Sequence, residues 1–502
     1  MDPGSDDPTP EALAGRPAVK SLAGMVMSGA LWLTGGRAVR IITTVATLAI
    51  LARLISPAEF GVVAAAGLAD TFVLAIMDYW LGIALLRPKD LEKPAIQSQV
   101  WASLLVAAAL ALVTFTVAPF IERALDFPGL ARAMMALTPL YFAHAVIAAS
   151  TALLQRQYRF RTAATVTILT RLLGYSLPAI VLAFMGWGLW AIIWGQLISL
   201  IVTAAVLAGY ARLPLGWPKR LAFGKVGFSG ASGGLYGLIS SLQVNVDTLA
   251  VAALLGPSVT GLYTRAYNIS VQAKDPFVSL QLTVRQALAA IQDEPRRAEE
   301  GLIRALRLSG IGGFILTAFV FAAAKPITGV LLGAQWLAAA PLLAVLFLGF
   351  PARVMLLMLD AASMALGQIW PLVWRQLALL VLIAVAAFAV AANGAVWVAV
   401  VVTAAFWLGL LISAFMVAGR TRIAVWRILA TLLPGLGIGV ALALVLMLAL
   451  YYTPDGALLK TAVAAAITGL ACLIVGVLLP QAWLGGFLAR LRGRVLGRPA
   501  TQ

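Results

Sequence analysis

The sequence is short of nearly everything a water-soluble enzyme relies on. It has one cysteine, Cys472, and one histidine, His144, among 502 residues. The lone cysteine excludes an intramolecular disulfide, and with one histidine there is no set of ligands for a zinc or haem centre, so no cofactor is expected. Both residues lie in apolar runs, where side-chain packing is the expected role. Charge is scarce as well, since Asp, Glu, Lys and Arg make up 11% of the chain, too few to cover a soluble globule of this size. No P-loop pattern for a nucleotide is present, and no loop is long enough to carry catalytic carboxylates or histidines, so an enzyme such as a glycosyltransferase or polymerase is not expected. The first twenty residues, rich in Pro, Asp and Gly, lack the apolar centre of a signal peptide and read as a disordered tail.

What is abundant is hydrophobic sequence, at 62% of residues and a mean hydropathy of +0.99. It falls into about fourteen runs of roughly 20 to 28 residues, long enough for helices across a hydrocarbon layer of about 30 Å and too long for β-barrel strands. Spans are expected near 26–53, 59–86, 97–121, 130–154, 162–185, 187–210, 228–255, 258–290, 300–324, 336–365, 368–391, 394–418, 426–452 and 457–479. The loops on one side hold 21 of the 36 Lys and Arg and the other side's hold 4, Arg53, Arg123, Lys325 and Lys460. Cations stay on the cytoplasmic side during insertion, so both termini are expected there. The net charge of +17 is then a topology signal with some attraction to anionic membrane lipids, and not a nucleic-acid footprint.

A weak internal repeat appears at an offset of 200 residues. ARLISPAEFG, ending at Gly61, matches AALLGPSVTG, ending at Gly261, through Ala52/Ala252, Leu54/Leu254, Pro57/Pro257 and Gly61/Gly261. Both stretches join an odd-numbered span to the next, which makes the copies parallel, although Pro and Gly also recur in any tight turn between helices. The expected fold is an all-α integral membrane protein with two six-helix bundles, 26–210 and 228–418. A cytoplasmic tail at 1–25, a cytoplasmic linker at 211–227, an added helix pair at 426–479 and a basic cytoplasmic tail at 480–502 complete it.

Polar residues inside the spans are spaced as helical stripes. Arg37, Arg40, Thr44 and Thr47 share one face of the first span, Ser240, Gln243 and Asp247 one face of the seventh, and Arg265, Asn268, Gln272, Asp275 and Ser279 one face of the eighth. Lys274 points partly away from that last line, and Asp70 and Asp78 lie about 80° apart on the second span. Stripes of this kind face protein or a watery cavity, because lipid would leave them unsatisfied. Arg171, Arg353, Asp360 and Arg375 are less clearly aligned, and packing or snorkelling is expected for them. Pro276, directly after Asp275, interrupts the eighth span as a candidate hinge. The glycine-rich stretch 227–237 suits close helix contact or bending equally well.

At LARLISPAEFGVVA, residues 51–64, the chain resembles Wzx-type polysaccharide flippases of the multidrug/oligosaccharidyl-lipid/polysaccharide exporter superfamily. LLQRQYRFR, 153–161, and GLYTRAYNIS, 261–270, are similar to family patterns too. The resemblance implies an alternating-access carrier of a polyprenyl-pyrophosphate-linked oligosaccharide, acting as a monomer in the bacterial inner membrane. Its implied role is in O-antigen (lipopolysaccharide), capsule or exopolysaccharide biosynthesis, with a polysaccharide polymerase or export complex as partner. It also implies an apolar groove for the lipid tail at the last helix pair, for which lipid-facing packing is the alternative. A pyrophosphate headgroup needs cations, and arginine's fork suits phosphate. Arg37, Arg40, Arg265 and Lys274 are the expected headgroup ligands, with Asn268 and Gln272 beside them. Asp70, Asp78, Asp247 and Asp275 are expected as charge partners or ion-coupling groups. Two alternatives stay open: these charges form structural ion pairs, or the chain is an ion-coupled exporter of organic cations from the same superfamily.

Overall fold

The computed structural model describes residues 43–77, 93–157, 159–214, 216–217, 231–291, 294–421 and 423–478. Among them every element is helical. The N-terminal half holds α1 (Thr43–Leu54), α2 (Pro57–Ile76), α3 (Lys93–Leu125), α4 (Leu130–Arg156), α5 (Arg161–Phe184) and α6 (Leu189–Ala211). The C-terminal half holds α7 (Ala231–Gln243), α8 (Val246–Ala273), α9 (Asp275–Ala290), α10 (Pro295–Leu331), a 3-10 turn (Ala334–Ala339), α11 (Ala340–Leu348), α12 (Phe350–Ala365), α13 (Ile369–Ala391) and α14 (Ala395–Ala418). A short α15 (Val425–Leu429) leads to α16 (Leu432–Tyr452) and α17 (Ala457–Leu478).

Eleven of these stretches are long and apolar enough to cross a membrane, or twelve if the pair Ala334–Leu348 and Phe350–Ala365, bent by 41°, is one span. The protein is therefore a multi-pass membrane protein. The expected bounds from the third to the sixth span and from the eleventh to the fourteenth agree with the helices to within about four residues. The expected eighth span is divided. α8 ends at Ala273 and α9 begins at Asp275 with Pro276 in its first turn, where a proline lacks the N–H that would continue the ladder. The tenth span breaks at Gly349, and the ninth extends beyond its expected ends as Pro295–Leu331.

The turn between α1 and α2 is built from its sequence. Ser56 caps α2, Glu59 returns a bond to the Ser56 N–H, and Pro57 occupies the first helical turn. Such a cap contributes about 1 kcal/mol. The free oxygen of Glu59 also accepts the Leu189 N–H at 3.1 Å, which ties the start of α6 to the same turn. In the matching stretch of the C-terminal half the chain breaks at Gly256, with φ 74° and ψ −178°, and restarts at Pro257. Only a residue without a Cβ adopts that backbone readily.

The two turns meet. A Cβ added to Gly61 would lie 1.8 Å from the Pro257 carbonyl oxygen, and one added to Gly261 would lie 1.8 Å from the Pro57 carbonyl oxygen. The contact is reciprocal, backbone against backbone, between the paired positions of the internal repeat. Buried apolar side chains otherwise form separate clusters. One holds Leu51, Phe60, Leu130 and Ile192 of the N-terminal half, and another holds Tyr263, Phe347, Phe350 and Val398 of the C-terminal half. At the turns, Ala252, Leu332 and Trp336 join the N-terminal cluster.

Gly61→Ala and Gly261→Ala are each expected to destabilise the folded protein by about 1 to 3 kcal/mol, as overpacking does. Thermal unfolding in detergent reads this directly. Gly67→Ala, whose Cβ meets nothing within 4 Å, is expected to unfold like the wild type.

Candidate functional site

Around the glycine contact the halves are joined by a short-range polar latch. Gln335 Nε2 donates to the Ala52 carbonyl at 2.6 Å and to that of Ile55 at 3.3 Å, and Trp336 Nε1 donates to Ala52 at 2.7 Å. From the other side, Arg53 Nη2 donates to the Val330 carbonyl at 2.8 Å. These bonds take up carbonyls at the C-terminal ends of α1 and α10, groups that a helix end leaves without intrahelical donors. The Trp336 ring is fully buried and meets Phe60 edge to face, with centroids 5.3 Å apart. Sequence patterning did not single out Gln335 or Trp336, because nothing in helical periodicity marks a residue at the edge of a span.

Immediately inside the latch, the Arg265 guanidinium of α8 lies over the Phe60 ring of α2, 4.1 Å from its centroid. That is close cation–π packing. Among the described residues no carboxylate stands within ion-pair distance of Arg265, and its Nε is buried without a hydrogen-bond acceptor. Tyr175, carried on a π-helical segment of α5 (Thr170–Ser176), comes within electrostatic reach of both Arg265 and Arg171. Further along α2, Thr71, Phe72 and Ala75 face Leu238, Ser241 and Leu242 of α7 along a seam too narrow to hold a water molecule.

Helix α8 has two polar faces about 160° apart at 3.6 residues per turn. Arg265, Asn268 and Gln272 are half-buried on one. Tyr263, Tyr267, Ser270 and Lys274 form the other, directed into the C-terminal half. On that inner face Tyr263 donates to Asp247 at 2.6 Å, and the Thr248 N–H donates to the same carboxylate at 2.8 Å. Tyr263 and Tyr267 stack with centroids 6.0 Å apart. Arg353 of α12 then reaches Tyr267 and Ser270 through long bonds of 3.4 and 3.5 Å, held between the rings of Tyr267 and Phe406.

The expected site residues are thus divided. Arg37, Arg40 and Asp78 lie outside the described residues. Arg265, Asn268 and Gln272 share the face toward α2. Asp247 is 1% exposed and bound by Tyr263, so it neither borders a cavity nor partners Arg265. Lys274 sits at the α8–α9 break, within electrostatic reach of Arg353 and Asp275. Asp70 meets His144 of α4, with Oδ1 and Nε2 3.1 Å apart, a partner that plain packing of the histidine did not foresee. Among the described residues no three His, Cys, Asp or Glu side chains gather where a metal ion could bind.

Of the packing or snorkelling expected for Arg353, Asp360 and Arg375, the structure shows packing, with full burial at 5%, 5% and 4% exposure. A snorkelling side chain reaches the interface, whereas these point inward. Arg375 donates to both oxygens of Asp360, at 2.5 and 3.1 Å, and to Ser413 Oγ and Gln376 Oε1. Tyr236 donates to Asp360 at 2.9 Å, and Gln376 Nε2 donates to Ser240 at 3.0 Å. This network ties α7 to α12, α13 and α14. Removing one partner leaves a buried charge alone, so Arg375→Met is expected to cost roughly 3 to 5 kcal/mol, and Arg375→Met with Asp360→Leu is expected to recover most of it. Thermal unfolding of the single and double variants is the check.

A family model described as polysaccharide biosynthesis protein matches residues 50–341, more than half of the chain and inclusive of the latch, Arg265 and both repeat turns. The succinoglycan biosynthesis transport protein ExoT of Rhizobium meliloti (strain 1021) is 27% identical over 311 residues, 60% of this chain and 61% of that protein. The lipopolysaccharide biosynthesis protein WzxC of Escherichia coli (strain K12) is 22% identical over 336 residues, 65% of this chain and 67% of that one. The chain thus spans about three fifths to two thirds of the curated relatives it matches. Among solved structures, the lipid II flippase MurJ in an inward closed conformation aligns over 93% of this chain and 99% of its own, with a TM-score of 0.71 and 15% identity. An inward-facing multidrug resistance transporter of the MATE family aligns over 76% and 95%, with a TM-score of 0.62 and 15% identity. Those two structures share the fold. By the match over residues 50–341, the chain belongs to the polysaccharide biosynthesis protein family.

Proposed function

We propose that the protein is a flippase that carries a polyprenyl-pyrophosphate-linked oligosaccharide across the bacterial inner membrane by alternating access, supplying O-antigen, capsule or exopolysaccharide synthesis. The observation that carries this reading is Arg265, an arginine where the two halves meet that has no carboxylate partner among the described residues. A cation within a span costs about 3 kcal/mol on insertion scales, and an anionic headgroup at that place would offset the cost. The relatives named for succinoglycan transport and lipopolysaccharide biosynthesis support a glycan cargo. With the lipid tail left in the bilayer, only the charged head needs a polar route.

In the same proposal the 56-residue stretch Leu235–Ala290 counts as two crossings, since as one straight helix it would measure about 84 Å. Fourteen spans then make two six-helix bundles, 26–210 and 228–418, followed by the pair 426–479, with 211–227 as a cytoplasmic linker. The charge bias of the loops puts both termini in the cytoplasm and the latch on the outer face. The structure then represents a state closed outward, from which transport proceeds by breaking the latch. Movement draws on an ion gradient, the membrane potential or consumption of the product, with no chemical step catalysed by the chain. An exporter of organic cations would present carboxylates to its cargo. Here Asp247 and Asp360 are taken up by Tyr263 and Arg375, which favours the anionic cargo.

Complementation of a flippase-null strain at matched expression tests the assignment. Charge-assisted hydrogen bonds contribute about 1.5 to 3 kcal/mol, so Arg265→Ala is expected to cut surface-glycan export at least about tenfold, with partial recovery in Arg265→Lys. Full export by Arg37→Ala, Arg40→Ala, Arg265→Ala and Lys274→Ala alike would reject the headgroup site. Drug resistance that depends on Asp70, Asp78 or Asp247 would favour the exporter. A short thiol cross-link between Ala52→Cys and Gln335→Cys, in a Cys472→Ser background, is expected to stop export until it is cleaved.

A further inference from the structure

Two arginines at membrane depth, one from each half, converge on a single tyrosine. The Arg171 guanidinium of α5 lies 5.7 Å from the centroid of the Tyr175 ring, and Tyr175 is within electrostatic reach of Arg265 on α8. Tyr175 also packs against the same apolar cluster as Leu262 and Ile269, which flank Arg265 by one turn on either side of it. The side of α5 that carries Tyr175 is thus turned toward the other half.

Arg171 is on that side and is exposed. The lipid-facing stripe of α5 is marked by Leu169, Leu173 and Leu177, all exposed and spaced four apart. Arg171 is two residues from Leu169 and two from Leu173, about 160° round the helix from the stripe, and one turn from Tyr175. Its exposure is therefore toward the space between the halves. Snorkelling, one of the roles expected for it, requires an interface within reach, yet Arg171 is about 15 Å along α5 from Arg161 at the helix start, near the middle of a hydrocarbon layer of about 30 Å. Among the described residues no carboxylate is within ion-pair distance of it.

The backbone that carries Arg171 and Tyr175 is the π-helical segment Thr170–Ser176, a geometry frequent at functional sites. Helix α6 holds it from behind. Ser199 Oγ donates to the Thr170 carbonyl at 3.1 Å, the Thr170 and Thr203 hydroxyls share a bond of 2.6 Å, and a Cβ added to Gly174 would lie 3.0 Å from the Ser199 Cα. We propose that Arg171 is the second cation of the headgroup site, so that a diphosphate is held by one arginine from each half, Arg171 and Arg265, with Tyr175 beside both. Each phosphoryl group can take the fork of one guanidinium, and a cargo with a single phosphate engages one arginine only. The inference rests on the flippase reading and adds to it a preference for diphosphate over monophosphate carriers.

Equilibrium binding of radiolabelled polyprenyl diphosphate and polyprenyl monophosphate, both without sugar, tests this on purified protein in nanodiscs of zwitterionic lipid, with empty nanodiscs as background. The wild type is expected to bind the diphosphate at least about tenfold more tightly, the worth of a charge-assisted hydrogen bond. Arg171→Ala is expected to lose that advantage with monophosphate binding nearly unchanged, and Arg171→Lys to regain part of it. A wild type with equal affinity for the two lipids would overturn the inference whether or not the variants fold, as would wild-type diphosphate affinity in Arg171→Ala. Weakened binding in Arg265→Ala alone would leave the headgroup reading standing without Arg171, whereas undiminished binding in both alanine variants would remove the reading as well.

Discussion

The arrangement depends on two backbone segments touching where no side chain fits. Gly61 packs on the Pro257 carbonyl and Gly261 on that of Pro57, each at a distance that a methyl group would make impossible. That closeness brings α1 within reach of Gln335 and Trp336 and sets Phe60 beneath Arg265. Dispersion and a few hydrogen bonds hold it, since lipid tails are as apolar as the side chains and supply little hydrophobic drive between helices. Contacts of this kind are short-ranged and can be exchanged for others, which suits the alternating access of the proposed function.

Charges within the spans are handled in two ways. In the C-terminal half, Asp247 is bound by Tyr263, and Arg375 is bound by Asp360, Ser413 and Gln376, which with Tyr236 ties α7 to α12, α13 and α14. Toward the other half, Arg265 has an aromatic ring beneath it and a buried Nε without an acceptor. The first kind of site is complete in itself and lends rigidity. The second has no anionic partner among the described residues, and it is there that the proposed function seats the headgroup of the cargo.

Much of the fold was legible in the sequence because hydrophobic length and loop charge are strong signals in a bilayer. Pro57, Gly61, Pro257 and Gly261 were legible as a repeated turn, but their mutual contact was not, since an alignment says that two segments are alike and nothing about whether they meet. Periodicity placed Arg265, Asn268 and Gln272 on one face of α8 and was right to do so. It could not tell that the opposite face is polar too, because tyrosine counts as apolar in such patterns, and Tyr263 and Tyr267 are the side chains that draw Asp247 and Arg353 inward. The same limit hid the meeting of His144 with Asp70, which lie 74 residues apart.

The central claim is that the latch end opens when the carrier turns over. Leu54 and Leu254 are equivalent positions of the repeat, both exposed beside the latch, and spin labels there report its opening as a distance. In lipid vesicles, pulsed electron paramagnetic resonance should give one short distance in the resting protein and a second, longer population once a polyprenyl-linked oligosaccharide is added. A single short distance, unchanged by that lipid at any pH the protein tolerates, would contradict the account.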